Sequence, residues 1–246
     1  MTRNVRLGVN IDHVATLRNA RGGMDPNILQ MALAVEEAGA DGVTIHLRED
    51  RRHIRDADVD LLITHLRTPM NLEIAATDTM IEIAGRVRPH AVCLVPEHRL
   101  EVTTEGGLDV AGQNDRITDC TNALKALGIR VSLFIDPNPA QIDAAAATGA
   151  PVIELHTGEY ANASHRDERA IQLMTLTEAV GRAKRLGLEV HAGHGLTKFN
   201  VKPVAAIAGI EELNIGHSLV ARALMVGLPV AVGEFKQLIR EAVTAC

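Results

Sequence analysis

Tryptophan is absent from this 246-residue chain, tyrosine occurs once and phenylalanine three times. With 46% hydrophobic residues but only 2% aromatic ones, the core has to be aliphatic and alanine-rich. Three cysteines, Cys93, Cys120 and Cys246, are too few and too scattered for a disulfide scaffold or a zinc ribbon. No run of about 18 apolar residues occurs, which excludes a membrane-spanning helix. Met1 to Arg6 lead into a strand pattern and not a hydrophobic signal segment, so the expected compartment is the cytoplasm. Basic charge is in deficit as well. At a net charge of −6 the chain has no global field for nucleic acid or an acidic membrane surface.

What is present is an alternation of short apolar runs with Ala-rich helical stretches. Strands are expected at Leu7–Ile11, Gly42–His46, Met70–Ala75, Ala91–Val95, Arg130–Ile135, Val152–His156, Glu189–Ala192 and Leu213–Ile215. The intervening helices are expected at Asn27–Ala38, Asp58–Leu66, Asp78–Val87, Asp115–Leu127, Ala140–Ala147, Glu168–Arg185, Pro203–Ile207 and Ser218–Val226, with a last amphipathic segment at Val230–Val243. An open dinucleotide-binding sheet needs a Gly-rich first turn, whereas Asn10-Ile11-Asp12-His13 follows the first strand here. Eight β–α units in this length point to one domain over residues 1–246, a (β/α)8 TIM barrel with extra helices. One connection, Pro96 to Gly112, exceeds the roughly 12–15 residues usual for a structureless loop and reads as a lid at the catalytic end.

Barrel enzymes place their chemistry at the C-terminal ends of the strands. Ionisable residues collect there: Asn10, Asp12 and His13; His46, Arg48 and His53; Glu73; Glu154 and His156; His191 and His194; His217. Taken singly, His156 or His191 reads as a hydrogen-bonded barrel residue. Glu73 and Glu154 lie inside apolar strands, and a two-residue period aims both into the lumen. Desolvation there lifts a carboxyl toward the range useful for proton transfer, unless Arg48 or Arg21 pairs with it.

A metal centre fares poorly, because no His-x-His, H-E-x-x-H or C-x-x-C occurs, so no metal and no cofactor is expected. None of the five lysines falls in an expected strand, so any imine must use a substrate amine. The loops after the last two strands, Gly193-His194-Gly195-Leu196-Thr197 and Asn214-Ile215-Gly216-His217-Ser218, suit phosphate, which barrels commonly bind there.

The segment Gly8-Val9-Asn10-Ile11-Asp12-His13-Val14-Ala15-Thr16-Leu17-Arg18, with Ala20-Arg21-Gly22, resembles the N-terminal signature of the pyridoxine 5′-phosphate synthase family. Thr44-Ile45-His46-Leu47-Arg48-Glu49-Asp50-Arg51-Arg52-His53-Ile54 is similar to its second signature. Asn71-Leu72-Glu73, Val95-Pro96-Glu97, Glu154-Leu155-His156-Thr157-Gly158, Ala192-Gly193-His194-Gly195-Leu196 and Leu213-Asn214-Ile215-Gly216-His217 follow in order. A departure falls at Lys198-Phe199, where the resemblance leads one to expect Tyr-His.

The resemblance implies a homo-octamer built from dimers. It also implies condensation of 3-amino-2-oxopropyl phosphate with 1-deoxy-D-xylulose 5-phosphate to pyridoxine 5′-phosphate, phosphate and water. It assigns His46 and Glu73 as proton acceptors, His194 as proton donor and Glu154 as transition-state stabiliser. Asn10, Arg21, Gly195, Gly216 and His217 are implied to hold the amino ketone phosphate. Asp12, His13, Arg48, His53 and Thr103 are implied to hold the sugar phosphate. The rival readings are a metal-dependent barrel hydrolase or aldolase acting on a phosphorylated small molecule, and a phosphate-binding module without chemistry.

Overall fold

A computed structural model of the chain describes residues 3–97 and 106–244. Its strands are β1 (Arg6–Asn10), β2 (Gly42–His46), β3 (Met70–Ile74), β4 (Ala91–Leu94), β5 (Arg130–Ile135), β6 (Val152–His156), β7 (Glu189–Gly193) and β8 (Ile210–Ile215). All pair in parallel with their sequence neighbours, and β1 closes on β8 to complete the barrel. Around it run α1 (Asp12–Arg21), α2 (Ile28–Glu37), α3 (Asp56–His65), α4 (Asp78–Val87), α5 (Asn114–Ala126), α6 (Pro139–Ala147), α7 (Gly158–Asn162), α8 (Arg166–Arg185), α9 (Val201–Ala206), α10 (His217–Val226) and α11 (Leu228–Thr244).

The expected strands match to within a residue or two at most ends; β8 begins three residues earlier than expected. Two helices were not expected. Segment 12–21 carries Asp12, Arg18 and Arg21 among few apolar positions and reads as a loop, yet it forms α1. Its first turn holds Asp12, whose charge suits a helix N-terminus, and Gly22 ends it in the left-handed conformation. Asp12 and His13 therefore belong to a helix start and not to the end of a strand. The short α7 follows β6 directly.

Strand alternation divides the barrel into two chemistries. Leu7, Val9, Val43, Ile45, Leu72 and Ile74 face outward, fully buried beneath the helices. The facing lumen is polar where barrels usually carry bulky aliphatics. Thr44 Oγ1 donates to Asn214 Oδ1 at 3.2 Å, and Asn214 Nδ2 donates to Glu154 Oε2 at 2.7 Å. Gly8 makes room for this link, since a Cβ there would lie 2.1 Å from Asn214 Oδ1.

The N-terminal mouth is closed by charge. Arg6 donates to Glu212 at 2.8 Å and to Glu189 at 2.6 Å, while His191 stands 2.9 Å from Glu189 and 3.3 Å from Glu212. A cavity of about 260 Å³ lies against this network, lined also by Asp41, His90 and Arg130. His191 thus belongs to the lower half of the barrel, with its side chain among these ions. Its grouping with the catalytic strand ends is corrected accordingly.

Candidate active site

At the C-terminal mouth the chain turns from β1 into α1 through a reciprocal clasp. Asn10 Nδ2 donates to Asp12 Oδ2 at 2.8 Å, and the Asp12 backbone N–H donates to Asn10 Oδ1 at 2.9 Å. The other Asp12 oxygen accepts the backbone N–H of His46 at 2.8 Å, so one carboxylate fixes the end of β2 against the start of α1. His46 is buried, its Nε2 2.9 Å from Glu97 Oε1 and its Nδ1 4.0 Å from Glu73 Oε2. Burial works to raise Glu97, but the hydrogen bond and charge of His46, the Glu49 backbone N–H and the charge of Arg48 together hold it below the usual carboxylate range. An ionised Glu97 requires an N–H from Nε2, which turns the other ring nitrogen, Nδ1, toward Glu73.

Glu73 and Glu154 both reach the lumen, as their strand positions dictate. Desolvation first, then the charges of Asp12 and Glu154, push Glu73 well above the carboxylate range. Asn10 Nδ2, at 3.4 Å, is its hydrogen-bond contact. Glu154 is pushed up to about 7 by burial, against the opposing pull of His191 and the Asn214 hydrogen bond. Gly193 is its close neighbour, where a Cβ would fall 2.3 Å from Glu154 Oε1.

His194 follows β7 with a φ of 79°, unusual for a residue with a side chain. Thr157 Oγ1 donates to its carbonyl, and the His194 ring meets that of His156 edge-on with centroids 5.0 Å apart. Desolvation, then the neighbouring His156, lower His194 to about 4. Gly195 carries a φ of 76° and would place a Cβ 2.6 Å from Ala161 Cβ. Ser218 Oγ donates to Leu196 O, tying the loop after β7 to the start of α10.

Beside that tie, Gly216 lies against Asn10, with no slack for a Cβ at 3.0 Å, and His217 opens α10 with its ring 4.7 Å from that of His13. Burial and then His217 lower His13. Backbone N–H groups at a helix start and two imidazoles make a cradle for an anion. Across the mouth, Arg48 is buried with Nε 3.5 Å from Asp50, and His53 Nδ1 lies 4.0 Å from Asp12 Oδ1. The His53 ring is 5.8 Å from that of His46 and is lowered chiefly by burial. Asp12, His46 and His53 offer ligand atoms within 4.8 Å of one another, a grouping the absence of a metal motif did not suggest.

The structure therefore gathers Asn10, Asp12, His13, His46, Arg48, His53, Glu73, Glu154, His194, Gly195, Gly216 and His217 around one mouth. Arg21 stands apart, exposed in the last turn of α1, without a bond to these groups among the described residues. Thr103 lies outside the described residues, as does the middle of the long connection after β4. Two participants were not singled out from sequence: Glu97 and Asn214. Glu97 sits three residues past β4 in the Val95-Pro96-Glu97 match, which was signal enough; a lumen position marked Asn214 in the same way.

A family model described as "Pyridoxal phosphate biosynthesis protein PdxJ" matches residues 7–241. A protein named pyridoxine 5′-phosphate synthase, from Colwellia psychrerythraea, is 58% identical over 238 residues, covering 97% of this chain and 97% of that protein. Among solved structures, Mycobacterium tuberculosis tryptophan synthase superposes with a TM-score of 0.66 at 15% identity, covering 97% of this chain and 93% of that one. Phosphoribosyl anthranilate isomerase from Thermus thermophilus gives 0.62 at 14% identity, covering 96% of this chain and 99% of that one. At such identities these two structures speak for the barrel alone.

Proposed function

The chain belongs to the PdxJ family of pyridoxal phosphate biosynthesis proteins, and from that premise we propose how its upper mouth makes pyridoxine 5′-phosphate. The enzyme condenses 3-amino-2-oxopropyl phosphate with 1-deoxy-D-xylulose 5-phosphate. The substrate amine attacks the sugar ketone and releases water as the imine forms, so no lysine of the chain is consumed. Removal of a proton beside the imine gives an enamine; water leaves, and a water molecule adds to the carbon that loses the sugar's phosphate, which becomes the free hydroxymethyl. Aldol-type closure and a final dehydration give the aromatic ring. The amino ketone's phosphate stays on the product.

His46 and Glu73 are the proton acceptors, His194 is the proton donor, and Glu154 stabilises charge in the transition state. Asn10, Gly195, Gly216 and His217, with Arg21, hold the amino ketone phosphate. Asp12, His13, Arg48 and His53, with Thr103, hold the sugar phosphate. One observation carries this reading: His46 Nδ1 and the Glu73 carboxyl face each other, 4.0 Å apart, between two candidate anion cradles. Burial lifts Glu73 out of the usual carboxylate range, which suits a group that must take and return protons at ordinary pH. Incubating the pure protein with both substrates tests it. Appearance of the pyridinol chromophore only when both are present is the expected result, and its absence would overturn the reading.

We also propose a cytoplasmic homo-octamer assembled from dimers, within a single barrel domain. Strongly exposed Met24, Phe199 and Met225 support self-association, being large apolar side chains that gain from cover. Light scattering of the pure protein measures the assembly directly. No helix among the described residues is long and apolar enough to cross a membrane.

A further inference from the structure

Asp136, just past β5, takes no part in the reaction as described, yet one of its oxygens is doubly engaged. Oδ1 accepts from His156 Nδ1 at 3.0 Å and from the Gly107 backbone N–H at 2.9 Å. Asp136 is held as a carboxylate, its His156 hydrogen bond lowering it below the usual range. A carboxylate at that distance fixes the His156 proton on Nδ1 and leaves a lone pair on Nε2. That second nitrogen is buried without a hydrogen-bond partner among the described residues.

Leaving a buried polar atom unpaired is costly, a cost that leucine or phenylalanine at this position would avoid. The surroundings preserve the arrangement. Gly158 keeps the space beside Nε2 open, since a Cβ there would lie 2.5 Å from it. The His156 ring packs edge-on against His194, and Phe134 lies against both, 5.2 Å from one ring and 6.4 Å from the other. His194 itself sits on a left-handed backbone whose carbonyl is tied by Thr157, so it cannot easily be repositioned from below.

We propose that Asp136 and His156 form a positioning pair that orients the His194 imidazole for its proton transfer. The pair acts through His194 and does not touch the reacting atoms, and the inference rests on reading His194 as the proton donor. Besides Asp136 and the two imidazoles, the ionisable groups facing this side of the lumen among the described residues include Glu154 on β6 and the buried Cys93 thiol of β4, which packs with Phe134. Asp136 supplies charge, His156 carries it as a polarised ring, and Phe134 fixes the angle between the two imidazoles.

The test uses the full-length enzyme with Asp136→Asn and His156→Phe. The first keeps the shape of a half-exposed side chain, and the second keeps the aromatic packing while deleting both nitrogens. Expected in each is a fall in kcat of about tenfold or more, KM for both substrates little changed, and a displaced pH profile of kcat. NMR of the His194 ring should show its titration moving upward in His156→Phe, because the neighbouring imidazole is gone. Wild-type turnover, a change in KM alone, or a lower kcat with an unmoved profile and a lower melting temperature would each overturn the pairing. His194→Asn serves as the control: near-normal turnover there removes the donor reading itself, and a severe loss there with unaffected Asp136 and His156 variants removes only the positioning pair.

Discussion

His46 and Glu73 are registered directly opposite each other on adjacent parallel strands, and their nearest polar atoms stand 4.0 Å apart. The gap exceeds a hydrogen bond, so neither group neutralises the other. Each remains available to a substrate atom between or beside them.

Glu73→Gln retains size and polarity but cannot accept a proton. Turnover is expected to fall by about 10²–10⁴-fold, with melting temperature unchanged or raised, since the buried carboxyl gains little from its surroundings. Steady-state kinetics with thermal melts checks this. Near-normal kcat would remove Glu73 from the base assignment.

Burial and His156 leave His194 neutral near pH 7. If His194 is the proton donor it has to acquire its proton, and a phosphate dianion held beside the Gly195 loop, as proposed above, would supply the favourable charge. Substrate binding is therefore expected to take up a proton at neutral pH. Calorimetry in buffers of different ionisation enthalpy measures this, and a binding heat independent of buffer would count against the donor role.

Glu154 is raised by burial to about 7, so the fold prefers its protonated form. That preference is fully expressed below the ordinary carboxylate range and is lost as pH rises through the folded value. Above it the ionised carboxyl costs up to about 3 kcal/mol. Glu154→Gln, which still offers Asn214 an acceptor, should melt on the order of 5–10 °C above wild type in mildly alkaline buffer. In acid the two should converge. Equal melting at both extremes would show that burial does not strain this carboxyl.

Imine and enamine chemistry driven by imidazoles and carboxylates requires no Lewis acid. Activity is expected to survive exhaustive chelation, whereas added Zn²⁺ should inhibit through Asp12, His46 and His53. Loss of activity on chelation, restored by a metal, would reinstate the metal-dependent alternative.

The barrel was legible because its strands are short apolar runs bounded by glycine and its helices are Ala-rich. Glu73 and Glu154 were legible by the same alternation, as charges at inward positions of apolar strands. Helix α1 was not, because it buries only Val14 and Ala15 among its apolar residues and is held otherwise by polar ties, the Asn10–Asp12 clasp and the buried Arg18–Asp58 ion pair. His191 misled because periodicity gives a residue's face but not its height along the barrel axis. The pairing of His156 with Asp136 joins residues 20 apart in sequence, and the parallel pairing of β5 with β6 brings them together.

That ring has a consequence for how the enzyme can fail. Asn10 comes from β1, His46 from β2, Glu73 from β3, Glu97 from beyond β4, Glu154 from β6 and His194 from beyond β7. No contiguous half of the polypeptide holds a working subset, so a four-strand fragment would inherit reagents without a reaction vessel. Opening the seam between β1 and β8 alone would part Asn10 from Gly216 and Gly8 from Asn214.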